Sequence, residues 1–127
     1  MEYKYVKPLE CETFIADFET YTQRRLPKSF KRDIKKINGG RPSLYTFDTS
    51  QVKECCLKCF LSFNPEDKES IWSAWKSCPE GLIPFAIDNF GNYIVFGLKG
   101  KVLFINHENS ETEMVADSYE KFINSLY

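Results

Sequence analysis

The sequence predicts an α+β fold in a single domain, residues 1–127: a mainly antiparallel β-sheet meander with N-terminal and C-terminal helices packed on it. Three observations predict it. Apolar residues recur at three- and four-residue spacing near both ends of the chain, as on the buried face of a helix. Between them, three short apolar runs are joined by glycine-bearing links too short for a crossover helix. Finally, 127 residues with 43% hydrophobic and 16% aromatic content can fill one core without a metal or disulfide staple.

The first helix is expected over 12–22, where Phe14, Ile15, Phe18 and Tyr21 line one face. The second opens at Leu26-Pro27, since proline in a first turn loses no needed donor. Phe30, Ile34 and Ile37 repeat along it, and Asn38-Gly39-Gly40 stops it. Residues 44–47 are strand-like. Residues 54–63 read two ways: Val52, Cys55, Cys56, Cys59, Phe60 and Phe63 suit a helix, while Leu57, Cys59, Leu61 and Phe63 alternate as a strand would. Asn64-Pro65-Glu66 marks a third helix start with Asn64 as cap, followed by Ile71, Trp72 and Trp75 and ended by Cys78-Pro79-Glu80-Gly81.

Strands follow at 83–87, 93–98 and 102–106, joined by Asp88-Asn89-Phe90-Gly91-Asn92 and Lys99-Gly100-Lys101. The last helix is expected to start at Asp117-Ser118-Tyr119-Glu120, a capping-box spacing with Asp117 as cap, and to bury Tyr119, Phe122, Ile123 and Leu126.

A net charge of −1 and a pI near 5.9 argue against a chain built to coat nucleic acid. No apolar run approaches the ~20 residues a membrane helix needs, and no signal peptide opens the chain, so a cytoplasmic protein is expected. Cys11, Cys55, Cys56, Cys59 and Cys78 are an odd five. Cys56 and Cys59 form a C-x-x-C without the second close pair that zinc requires, so buried reduced thiols are expected and neither metal nor cofactor.

Catalysis finds little support. The one histidine, His107, precedes Glu108, but neighbours on an extended chain face opposite ways. No nucleophile elbow, phosphate loop, dinucleotide pattern or H-E-x-x-H occurs. The turn at 88–92 lacks the closing glutamate of a calcium loop.

Charge layout says more. Arg24, Arg25, Lys28, Lys31, Arg32, Lys35, Lys36 and Arg41 face only Asp33 across 24–41, while 106–120 holds Glu108, Glu111, Glu113, Asp117 and Glu120 with no lysine or arginine. Two solvated faces are the plain reading; two patches that steer partners are the functional one. Nucleic-acid binding by the basic stretch is disfavoured, because no exposed aromatic platform is interleaved with it.

Four blocks, taken in order, resemble the SUKH superfamily. Leu26-Pro27 with Phe30 and Asn38-Gly39-Gly40-Arg41-Pro42 is similar to its opening motif. The run from Leu82 through Pro84 to Asp88, Gly91 and Asn92 resembles its central segment. Val102 to His107 and Glu108 resembles its next strand, and Val115 to Leu126 its closing helix. Asn106 stands where aspartate is common, and Tyr119 where phenylalanine is. The resemblance spans about residue 12 to the end of the chain.

It implies helices on an antiparallel sheet, and the strand reading of 57–63. It also implies binding without catalysis, as in the bacterial immunity proteins that neutralise toxins, often nucleases. On that reading Glu108, Glu111, Glu113 and Asp117 form part of a rim facing a basic toxin domain. Leu26, Pro27, Asn38, Gly39, Gly40, Pro84, Asp88, Gly91, Asn92, His107 and Glu108 then serve the fold. The competing implication is a scaffolding domain of the cell-wall-regulator type. Such a domain is expected inside a longer chain with disordered flanks, so this domain-length chain points to the immunity role.

Overall fold

Phenylalanine does most of the work of assembly. A computed structural model describes all residues, 1–127. Its centre is β5 (Ile83–Asp88), buried along its whole length. Phe85 stacks on Phe96 of β6 (Tyr93–Phe96) with centroids 4.1 Å apart. Above them lie α2 (Lys28–Ile37), which contributes Phe30, and α4 (Tyr119–Ser125), which contributes Tyr119 and Phe122. These rings meet edge to face, the arrangement their quadrupoles favour, and truncating a fully buried one to alanine costs about 3–5 kcal/mol.

The six-stranded sheet runs β3 (Thr46–Phe47), β4 (Cys55–Phe60), β5, β6, β7 (Val102–Ile105), β8 (Thr112–Ala116), antiparallel throughout. A two-stranded ribbon of β1 (Tyr3–Lys4) and β2 (Arg41–Pro42) lies beside it. The large sheet curls. Bulges fall at Leu57/Cys59, Pro84/Ala86 and Val102/Leu103, and each adds bend and twist. Pro84 explains its own bulge, because a central strand cannot otherwise tolerate a missing donor. The curl brings the loop after β3 to the far edge, where the Ser50 N–H donates to the Met114 carbonyl (2.9 Å) and Thr49 Oγ1 bonds Glu113.

The meander holds as expected, and the fold is α+β in one domain. Within 54–63 the strand reading holds over Cys55–Phe60 and stops short of 61–63, and the bulge shifts the alternation so that Phe60, rather than Cys59, enters the core. The strand expected at 44–47 shortens to β3, and the first helix, α1 (Phe14–Thr22), starts later than expected. The third helix, α3 (Ile71–Ser77), is a correction. It starts after Ser70, whose Oγ accepts the Trp72 N–H (3.1 Å). Asn64, expected as its cap, is 1% exposed and ties the N-terminal segment down instead, through Pro8 O (2.9 Å) and Glu10 N–H (2.9 Å). Ser118, rather than Asp117, caps α4, its Oγ accepting the Lys121 N–H (3.2 Å). Strand β8 has no counterpart among the elements the sequence predicts. No helix is long and apolar enough to cross a membrane.

Leu26 is buried and Pro27 precedes the first turn of α2. Asn38 closes that helix and then holds the N-terminal segment, donating to Lys7 O (3.0 Å) and accepting the Phe63 N–H (2.8 Å). Gly39 takes φ +69° as the chain reverses. Gly40 serves by closeness: a Cβ there would sit 2.8 Å from Val6.

Candidate functional site

The antiparallel register gathers three connections at one end of the sheet: residues 48–54, 88–92 and 106–111. Asp88, 4% exposed, organises the middle one. Its Oδ1 accepts the N–H groups of Phe90 and Asn92, both at 2.8 Å, and its Oδ2 accepts Asn92 Nδ2 at 3.0 Å. With its amide nitrogen so committed, Asn92 offers Oδ1 as acceptor. It takes the His107 backbone N–H (3.0 Å) and the His107 Nδ1–H (2.7 Å), which fixes the ring's tautomer. Gly91 stands between them at φ +87°, a conformation that a side chain resists even though a Cβ would meet only ordinary contacts. Asp88, Gly91 and Asn92 of one turn thus form one fixed corner with His107 of the next loop.

The next loop is stapled too. Asn106 Oδ1 accepts the Glu108 N–H (2.8 Å) and the Asn106 N–H bonds Glu111 O (2.9 Å), so asparagine does here what an aspartate would. Glu108 and Glu111 are exposed, and Glu113 is half-buried on β8 beside Thr49. Asp117 is not with them. It lies past the far end of β8, four residues or ~13 Å of strand from Glu113, and pairs with Lys121 at 3.6 Å.

In its place the fold brings Asp48 and Glu54, from a loop that sequence reasoning did not connect to this surface. The Tyr127 hydroxyl bonds Asp48 Oδ1 (2.6 Å) and the Glu54 N–H reaches the same oxygen (2.9 Å). Those bonds, the phenol's foremost, hold the Asp48 carboxyl below its ordinary range, while Tyr127 is pushed up to about 12. Nothing in the sequence signals this, because a β-hairpin and a curl must form first.

Between the turn and the 48–54 loop opens a groove of about 530 Å³. Phe90 (80% exposed) and Val52 (50% exposed) stand at it, Phe104 and Cys55 lie deeper, and Glu54 and Glu113 border it.

The basic residues are more spread out than the sequence suggests. Lys31, Arg32, Lys35 and Lys36 of α2 pair with Glu19, Glu120, Glu12 and Asp33, and Arg41 stacks over Tyr45 at 4.5 Å. Arg24 reaches Gly81 O (2.8 Å), and Arg25, Lys99 and Gly100 line a neighbouring cleft, at the end of the sheet opposite the acidic loops. The cysteines are half-buried thiols rather than buried ones, with Cys55, Cys56 and Cys59 on β4. Burial pushes Cys59 and Cys78 up to about 11.

The SUKH family model described as SMI1-KNR4 cell-wall matches residues 12–123, from the approach to α1 into α4. The chain belongs to the SUKH family. One solved structure, a protein from Pseudomonas syringae pv. tomato, shares this SUKH domain's fold with a TM-score of 0.53 and 19% identity, over 86% of this chain and 77% of that one. No curated protein matches.

Proposed function

We propose that this SUKH domain is a non-catalytic immunity protein, which binds and neutralises a cognate toxin domain, basic and nuclease-like in charge. The observation that carries the reading is the acidic end of the sheet. Asp48, Glu54, Glu108, Glu111 and Glu113 come together there with Lys53 as the cation among them. A field of one sign on a nearly neutral protein speeds encounter with an oppositely charged partner. His107 is engaged as a staple of the corner, which suits a binding role better than proton transfer. Five thiols outside any disulfide suit a reducing compartment such as the cytoplasm.

The test takes the product of the adjacent locus. Its purified toxin domain is titrated with this protein while toxin activity is followed. Stoichiometric loss of activity, accompanied by a stable complex, is expected. A partner with no toxic activity, docking instead as a scaffold component would, refutes the immunity role.

A further inference from the structure

The acidic end carries more than charge. Phe90 is 80% exposed, yet its backbone N–H is fixed by Asp88, so the ring is held out on a rigid turn that gains nothing from it in folding. Val52 faces the same groove, and Phe104 and Cys55 extend the apolar lining inward. Among the ionisable residues along it, Glu54, Asp88 and Glu113 outnumber Lys53. Asp88 is spent on the turn, and one oxygen of Glu113 is spent on Thr49, which leaves Glu54 and the other Glu113 oxygen open at the rim. An apolar lining under a carboxylate rim calls for an occupant that is apolar at its tip and cationic beside it.

We propose that this groove is the anchor point of the partner surface and receives an apolar side chain flanked by arginine or lysine, presented on an exposed loop of the partner protein. The inference rests on the protein-binding reading above and deepens it. A preformed aromatic site inside a charged rim is the usual anatomy of a binding hot spot, because the apolar anchor is desolvated while the rim orients it. Rigidity adds to it, since a turn already held by side-chain bonds loses little freedom on binding.

The experiment uses the full chain, isotope-labelled for amide NMR, and two capped tripeptides as probes: Leu-Arg-Leu, and Leu-Glu-Leu as the charge control. Shift changes confined to residues 52–56, 88–92, 104, 106 and 113 are expected with the arginine peptide and absent with the other. Phe90→Ser, an exposed substitution that leaves the fold intact, weakens the effect by at least about tenfold. No response at millimolar arginine peptide, an equal response to both, or shifts centred elsewhere overturns the proposal. The same variant separates the two readings in the toxin assay. A complex indifferent to Phe90→Ser removes the groove and keeps the immunity role. Capture of the arginine peptide without any toxin complex keeps the groove and removes that role.

Discussion

At each end of the sheet one apolar side chain is more exposed than its apolar neighbours: Phe90, 80% exposed, at the acidic end and Leu98, 78% exposed, at the basic end. The turns that carry them are built differently. Around Phe90, Asp88 and Asn92 supply side-chain hydrogen bonds and His107 locks the corner to the next loop. Around Leu98 only backbone bonds close the turn, Gly97 N–H to Lys101 O (2.8 Å) and Lys101 N–H to Leu98 O (3.3 Å). Lys99 sits there at φ 59°, a left-handed conformation that favours glycine. An exposed ring on a reinforced turn is a feature held in place; an exposed leucine on an unreinforced one is ordinary surface. That contrast directs attention to the acidic end.

The largest effect should come from Asp88→Ala, which leaves two backbone donors without their partner. It is expected to cost about 3 kcal/mol in urea unfolding, and a loss below about 1 kcal/mol would erase the contrast. Gly91→Ala comes next at about 1 kcal/mol, through conformation alone. The mirror change at the basic end, Lys99→Gly, is expected to gain about 0.5–1 kcal/mol, since it relieves strain that no side chain there compensates.

A pH effect sharpens the comparison. Asp48, depressed below 3.8, contributes stability that is present above that value and lost as pH falls through its folded-state pKa. Tyr127, raised from 10.0 to about 12, contributes stability that is present below 10.0 and lost as pH rises through about 12. The clasp on the acidic end is therefore intact between those limits. Tyr127→Phe should flatten both flanks of a stability-against-pH curve, because it removes the bond that shifts both groups. The smallest effect is expected from Glu108→Ser with Glu111→Ser, within about 0.5 kcal/mol of the parent in urea, because Glu108, expected to serve the fold, bonds through its backbone N–H alone, and Glu111 through its backbone groups alone.

The sequence announced what short-range physics decides. The phenylalanine faces of α2 and α4, the glycine links of the meander and the turn at Asp88 to Asn92 each follow from local spacing. It misled where a long-range contact outbid a local signal. Asn64 looks like a helix cap, but the N-terminal segment claims its side chain, and Ser70 caps α3 instead. Strand β8 escapes a reading of local pattern because its apolar run, Met114 to Ala116, is only three residues long and follows Glu111 and Glu113, so pairing with β7 decides it. Glu108, Glu111 and Glu113 of the acidic end are legible as a charge run. Asp117 fell outside it because a five-residue strand carries the chain to the opposite end of the sheet, and Asp48 and Glu54 entered it through the curl.

The proposed function requires the acidic end of the sheet, not the basic end, to meet the partner. Stopped-flow association with the proposed toxin partner, measured across a range of salt concentrations, tests it directly. Replacing Glu54, Glu108 and Glu111 by serine should slow association at low salt and flatten its salt dependence, while serine at Arg25 and Lys99 leaves both unchanged. The reverse pattern, with the basic-end changes governing the rate, would contradict the account.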